Sequence, residues 1–189
     1  MEIKNFVKVY DNVLPLNLIG NIVRFANQSE FEETRIGGDE YNEVNFNIRK
    51  AYSLPLTYLS KKMTNVHWFN LLGCTFDKYL KQYKIDNKII DSDFSNINDI
   101  QILKYFENGF YKWHVDHFSS IPRTFSCILF LNDDYKGGTI AFRNPDGTGE
   151  WEVKVKAGRL IIWPSNFLYP HTVKPVLKGT RYTVVAWAL

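Results

Sequence analysis

The stretch RLIIWPSNFLYPHTVKPVLKGTRYTVVAW, residues 159–187, alternates short apolar runs with turn-forming residues. Its two apolar runs, 159–163 and 181–187, are rich in β-branched and aromatic side chains, as β-strands are. Proline and glycine occur in the connection between them, where they favour turns. The stretch therefore predicts two short strands joined by a long, turn-rich connection.

The same pattern of short apolar runs separated by turn-forming residues continues on the N-terminal side of this stretch. Similar short runs are DIQILKYF (99–106), FSCILFL (125–131), TIAF (139–142) and WEVKVK (151–156). In the last of these, apolar and charged residues alternate, which is typical of a strand with one face in water. Many short strands separated by glycine and proline turns predict two packed sheets, and a double-sheet jelly roll is one common solution.

The first half of the chain has a different spacing of apolar residues, which predicts two helices. Apolar residues recur at helical spacing in PLNLIGNIVRFANQ (15–28) and in VHWFNLLGCTFDKYLKQYK (66–84). Such stripes are expected to cover a sheet. We therefore predict a mainly β fold with added helices in a single domain, 1–189. In it, 1–99 forms a helical and mixed support layer and 100–189 forms the jelly-roll core.

The composition limits the classes of function. The chain has 189 residues, is 45% hydrophobic and 16% aromatic, and carries a net charge of only +3. A packed core is expected, and no basic block indicates a nucleic-acid partner. Cys74 and Cys127 lie among apolar residues and are expected to be buried free thiols. With no signal peptide or membrane-spanning stretch in the sequence, we expect a soluble, cytoplasmic protein.

Three residues form a candidate metal site. His114 and Asp116 alternate in FYKWHVDHF (110–118), so on an extended strand their side chains would share one face. His171 supplies a second imidazole. Two histidines and one carboxylate leave coordination positions open, as in non-heme Fe(II) oxygenases, whereas a structural zinc site is closed.

Arg181 suggests an anionic partner for this metal. It begins a strongly apolar strand, and a guanidinium that points into a sheet interior requires an anion because an unpaired buried charge is costly. Its planar fork suits a carboxylate, and Thr183 has the same strand parity. An iron site that also needs a dicarboxylate points to 2-oxoglutarate.

Residues 100–187 resemble, in order, the catalytic domain of the prolyl-4-hydroxylase-type 2-oxoglutarate/Fe(II) dioxygenases. The motifs that carry the resemblance are Tyr-x-x-His-x-Asp at 111–116, Leu-Asn-Asp…Gly-Gly at 131–138, and a histidine at 171 followed by Gly-x-Arg-Tyr at 179–182. The resemblance implies a double-stranded β-helix (jelly roll) with N-terminal helices packed on the major sheet.

The resemblance also implies roles for individual residues. His114, Asp116 and His171 match the iron ligands, and Arg181 matches the basic residue that pairs with the distal carboxylate of 2-oxoglutarate. Further matches are Tyr105 and Tyr111 in the co-substrate pocket, Trp187 near the iron and Arg123 at a substrate contact. Phe130 departs from the pattern, since many members carry there a tyrosine that helps to bind 2-oxoglutarate. Tyr105 or Thr183 is expected to supply the missing donor.

The function implied is an Fe(II)- and 2-oxoglutarate-dependent dioxygenase, with O2 as second co-substrate and ascorbate as an optional reductant. A prolyl residue of a peptide or protein is the favoured substrate. The alternatives are the same chemistry on a free amino acid, another small molecule or an alkylated nucleobase, a non-catalytic jelly-roll binding module, and a zinc hydrolase. Residues 30–48, 84–98 and 144–150 are expected to form the loops that select the substrate.

Overall fold

The computed structural model describes residues 2–36, 43–89 and 97–189. Residues 37–42 and 90–96 belong to two of the expected substrate-selecting loops and lie outside this description. The elements in chain order are the 3-10 helix Ile3–Phe6, β1 (Lys8–Tyr10), α1 (Leu16–Asn27), β2 (Glu32–Glu33), β3 (Arg49–Lys50), β4 (Tyr52–Pro55), α2 (Met63–Asp86), β5 (Ile97–Tyr105), β6 (Phe110–His114), β7 (Phe125–Phe130), β8 (Lys136–Gly137), β9 (Ile140–Phe142), β10 (Trp151–Val153), β11 (Leu160–Pro164), β12 (His171–Val173), β13 (Val176–Lys178) and β14 (Arg181–Ala188).

Most of these strands form two antiparallel sheets. The major sheet has seven strands in the order β1-β11-β7-β14-β5-β4-β2, and the minor sheet has five in the order β10-β9-β12-β6-β3. Strands β13 and β8 form a separate two-stranded ribbon. The expected mainly β, jelly-roll architecture is confirmed. The first 99 residues also contribute strands to both sheets, which the sequence did not indicate.

The major sheet separates two hydrophobic cores. One core lies between this sheet and the helices and contains Ile22, Leu72 and Phe76, each with no exposed surface. The other lies between the two sheets and contains Phe130, Phe142 and Trp163. The helices therefore pack on the major sheet, as predicted, and leave its other face to form a site.

Strand β14 shows how the sequence assigns residues to the two cores. Its even-numbered residues, among them Val184 and Ala186, belong to the helix-side core. The odd-numbered Val185 and Trp187 belong to the core between the sheets. Because successive side chains of a strand point to opposite faces, Arg181 and Thr183 must also face the space between the sheets.

Three local expectations were wrong. The connection predicted between residues 163 and 181 contains strands β12 and β13, because its backbone pairs with β6, β9 and β8. Strand β6 ends at His114, so Asp116 lies in the bend that follows it and not on the same extended strand. Cys74 is exposed on α2, whereas Cys127 is buried as expected; both are free thiols. Within the part of the chain that is described, neither helix combines the length and the apolar character needed to cross a membrane.

Candidate active site

The three predicted metal ligands lie together between the two sheets. His114 ends β6 and His171 begins β12, and the two residues are paired in the minor sheet. Asp116 Oδ1 lies 3.6 Å from His114 Nε2, and Asp116 Oδ2 lies 3.5 Å from His171 Nε2. One ligand atom from each residue lies within 4.8 Å of the others. This spacing allows all three atoms to hold one metal ion.

Backbone carbonyl groups orient both imidazoles. His114 Nδ1 lies 2.8 Å from the carbonyl oxygen of Lys112, and His171 Nδ1 lies 3.1 Å from that of Tyr169. When Nδ1 carries the proton and donates it to a carbonyl, the lone pair of Nε2 is free to bind a metal. Burial and the neighbouring His171 lower the pKa of His114 to about 3, so its imidazole is neutral.

The carboxylate of Asp116 is held by a short chain of hydroxyl groups. Ser126 Oγ on β7 donates to Asp116 Oδ2 at 2.6 Å and lies 2.7 Å from Ser165 Oγ. Burial alone would raise the pKa of Asp116, but the two histidines and the Ser126 hydrogen bond outweigh it and hold this pKa at about 2. Asp116 is thus ionised and oriented as a metal ligand.

The triad faces a cavity of about 260 Å³. Tyr105, Tyr111 and Trp187 are among its aromatic walls. The charged residues that line it, besides the triad, are Glu32, Glu33, Arg35, Arg49 and Arg123. The cavity therefore offers charges of both signs around the candidate metal site.

Arg181 is fully buried and lies beyond the Tyr105 end of this cavity, since it contacts the Tyr105 ring but does not line the cavity itself. Its Nη1 donates to Thr183 Oγ1 at 3.2 Å, whereas Nε and Nη2 have no hydrogen-bond partner among the residues that the structure describes. No carboxylate of residues 2–36, 43–89 or 97–189 forms an ion pair with it. A buried guanidinium with two free nitrogens is suited to bind an anion.

Tyr111 connects the metal site to a further arginine. Its ring stacks on His114 with 3.5 Å between ring centroids, and the guanidinium carbon of Arg49 lies 4.6 Å from the Tyr111 centroid. Within the described part of the chain, Arg49 Nε is buried without a hydrogen-bond partner. Arg49 is paired with Tyr111 through β3 and β6, so the short strand β3 brings this charge to the cavity.

Arg123 and Trp187 form a pair on the other side of the triad. The guanidinium carbon of Arg123 lies 3.7 Å from the Trp187 ring centroid, and Nη2 lies 3.6 Å from Asp99 Oδ2. Both residues line the cavity. A stacked arginine and tryptophan make a flat surface that combines positive charge with an apolar face.

The sequence-predicted residues are thus brought to one place, with Arg181 and Thr183 behind Tyr105 and the others on the cavity wall. The roles of these residues stay predictions. Sequence reasoning missed Ser126 and Ser165, and it gave Arg49 no role. An isolated serine carries no sequence signal for contact with a carboxylate ten or more residues away.

Comparison with known proteins identifies the domain. Residues 100–189 match the family model of the 2OG-Fe(II) oxygenase superfamily. A PKHD-type hydroxylase from Synechococcus sp. (strain CC9902) is 35% identical over 114 residues, which cover 54% of this chain and 50% of that protein. The chain thus spans about half the length of this curated relative.

Two solved structures share the fold over nearly the whole chain. A Trichoplax adhaerens prolyl hydroxylase, in complex with a hypoxia inducible factor peptide fragment, has a TM-score of 0.79 at 15% identity, covering 98% of this chain and 84% of its own. A Pseudomonas putida prolyl-4-hydroxylase has a TM-score of 0.69 at 20% identity, covering 96% and 91%. The expected fold, metal and co-substrate are confirmed at the level of the family. Residues 100–189, just under half of this chain, thus match the 2OG-Fe(II) oxygenase superfamily, and the fold of the chain is that of the solved prolyl hydroxylases.

Proposed function

We propose that this protein is an Fe(II)- and 2-oxoglutarate-dependent dioxygenase that hydroxylates a prolyl residue of a peptide or protein. The observation that carries the proposal is the arrangement of one cavity. Three ligand atoms lie within 4.8 Å of one another on its wall, and a fully buried, incompletely paired arginine lies beyond its Tyr105 end.

The residues fit the metal and the co-substrate. Two imidazole nitrogens and one carboxylate oxygen form a donor set that suits Fe(II) and leaves positions open. Bound Fe(II), with 2-oxoglutarate and O2, would supply the oxidising power to hydroxylate a C–H bond. A dicarboxylate would also supply the negative charge with which the buried guanidinium of Arg181 can pair.

Each side chain has a defined task in this proposal. His114 and His171 present Nε2 to the metal, and Asp116 provides an oxygen that stays ionised. Arg181 holds the distal carboxylate of 2-oxoglutarate, and Thr183 fixes the guanidinium through the 3.2 Å hydrogen bond. Tyr105 and Tyr111 shape the pocket between Arg181 and the metal.

Several features support a peptide substrate. Arg123 and Trp187 form a cation–aromatic surface at the cavity, suited to backbone carbonyl groups and to a small apolar ring. The mixed charges of the cavity offer no continuous basic track for a nucleic-acid backbone. The solved Trichoplax adhaerens enzyme is itself in complex with a peptide fragment. A cytoplasmic location, expected from the sequence, is part of this proposal.

The first experiment is an anaerobic titration with Fe(II), with and without 2-oxoglutarate, recording the visible metal-to-ligand charge-transfer band. We expect the band in the wild-type protein, its loss in His171→Ala and its weakening in Arg181→Ala. His67→Ala is the matched control because His67 lies on α2, outside the site. Release of succinate with proline-containing peptides then tests the substrate.

Two results would contradict the proposed function in whole or in part. A wild-type protein that shows no band and binds zinc regardless of 2-oxoglutarate is not an oxygenase, and the hydrolase or binding-module alternative replaces it. A normal band with succinate release only on small molecules would keep the chemistry and reject the peptide substrate.

A further inference from the structure

Tyr135 places a hydroxyl group inside the protein without a well-formed hydrogen bond among the described residues. It follows β7 and immediately precedes β8, and its ring is half-buried. Its Oη is buried and has no hydrogen-bond partner among the described residues. Because a buried hydroxyl without a partner is unfavourable, this position is expected to serve a group that binds there.

The nearest candidate for a shared partner is Arg181. Gly138 has φ +62°, and a Cβ added to it would lie 3.0 Å from Tyr135 Cε2 and 3.1 Å from Arg181 Cδ. The glycine therefore lies against both side chains and lets them pack side by side. Arg181 Nε and Nη2 are also buried without hydrogen-bond partners in the described segments. Three unsatisfied donor atoms thus belong to two adjacent side chains.

The charge state of the tyrosine suits a hydrogen-bond donor. Burial raises the pKa of Tyr135, while the positive charge of Arg181 and the closeness of its N–H groups to the hydroxyl oppose this rise without cancelling it. The hydroxyl group is therefore protonated at neutral pH and can donate to an anion beside the guanidinium.

The other side chains around Arg181 leave room for such a donor. Phe130 faces Arg181 with 5.4 Å between the guanidinium carbon and the ring centroid, and it has no hydroxyl group. Thr183 Oγ1 already accepts a hydrogen bond from Nη1. Tyr105 presents the face of its ring to the guanidinium carbon, 4.9 Å from the centroid.

We infer that Tyr135 Oη donates a hydrogen bond to the distal carboxylate of 2-oxoglutarate beside Arg181, in place of the hydroxyl group that Phe130 lacks. This inference rests on the proposed function. It assigns the missing donor to a turn residue and not to Tyr105 or Thr183, the two residues that the sequence suggested.

The test is the affinity for 2-oxoglutarate in the anaerobic Fe(II) complex, measured by titrating the charge-transfer band. We expect Tyr135→Phe to weaken binding about tenfold or more, as removal of a hydrogen bond to a charged group does. Binding of 2-oxopentanoate, which lacks the distal carboxylate, should not change. Tyr182→Phe is the matched control, because Tyr182 Oη donates to Asn27 Oδ1 on the helix side.

A second variant asks whether the hydroxyl group itself matters. Adding Phe130→Tyr to Tyr135→Phe should restore tight binding of 2-oxoglutarate, since it returns a hydroxyl group to the neighbourhood of Arg181. Unchanged affinity in Tyr135→Phe, or an equal loss for both keto acids, would overturn the inference while leaving the oxygenase proposal intact. If instead the wild-type protein forms no 2-oxoglutarate-dependent band, the proposed function fails first and the inference with it.

Discussion

Asp116 and Arg181 are both buried charges, and their surroundings differ in kind. Asp116 is only 7% exposed and has two imidazoles and the Ser126 hydroxyl around its carboxylate. Arg181 has no exposed surface, and two of its nitrogens have no hydrogen-bond partner in residues 2–36, 43–89 and 97–189. The first charge is stabilised by the protein itself, whereas the second is left to an anion from outside.

The Ser126 hydroxyl group leads to a prediction about metal affinity at the level of a single residue. Ser126→Ala removes the 2.6 Å hydrogen bond to Asp116 Oδ2 and allows the carboxylate to rotate. Groups that orient metal ligands in this way commonly contribute about 10- to 100-fold to metal affinity. We expect a loss of that size for Fe(II), or for Co(II) as a stable substitute, in a competition titration with a chelator.

A serine elsewhere provides the control for Ser126→Ala. Ser29 Oγ donates to the Phe25 carbonyl oxygen at the end of α1, so Ser29→Ala removes a hydrogen bond without approaching the site. Its metal affinity should equal that of the wild-type protein. If Ser126→Ala also binds metal as tightly as the wild type, the serine does not orient Asp116.

Sequence reasoning found residues whose chemistry is rare and missed those whose role depends on a contact. His114, His171 and Arg181 were identified because histidines are few in this chain and an arginine on an apolar strand is unusual. Ser126 and Tyr135 are common residue types. Their importance comes from neighbours that only the folded chain brings close.

At the scale of elements, the sequence predicted best where a strand carries a clear pattern. The apolar runs of β5, β7, β11 and β14 were all found, and so were both helices. The short strands β1 to β4 were missed, and so were β12 and β13 within the predicted turn-rich connection, since two to four residues show too little of a period. Asp116 was placed on a strand because the sequence does not show that β6 stops pairing at His114.

Helix α2 gives a prediction about stability. Leu72 has no exposed surface and packs in the core between α2 and the major sheet. Leu72→Ala should lower the free energy of unfolding by about 2–5 kcal/mol, since it leaves a cavity. Urea denaturation measures this change, and the affinity for 2-oxoglutarate should stay the same below the unfolding transition.

The exposed Cys74 on the same helix provides a matched comparison for Leu72→Ala. Cys74→Ala should change the free energy of unfolding by less than about 0.5 kcal/mol, as surface substitutions do. A loss for Leu72→Ala no larger than that for Cys74→Ala would contradict a stabilising role of Leu72 in packing α2 on the sheet.

At the scale of the whole molecule, the N-terminal half is part of both sheets. Strand β1 pairs with β11 and β4 pairs with β5 in the major sheet, while β3 pairs with β6 in the minor sheet. The helices also pack on one face of the major sheet. We therefore propose that residues 1–189 form a single domain in which 1–99 and 100–189 depend on each other.

This proposal predicts one cooperative unfolding transition. Urea curves followed by far-UV circular dichroism, which is dominated by the helices, and by tryptophan fluorescence should coincide. A fragment of residues 100–189 should show no cooperative transition, because it lacks the cover of one sheet face. Two separate transitions in the full chain, or a stably folded fragment, would contradict a single domain.

The division of β14 between two cores also bears on how such a protein can change during evolution. Val184 and Ala186 are constrained by the helices, so substitutions there are removed because they unfold the protein. Val185 and Trp187 line the cavity, and substitutions there alter which molecule fits. Selection for a new substrate can therefore act on Val185 and Trp187 while Val184 and Ala186, on the other face of the same strand, preserve the fold.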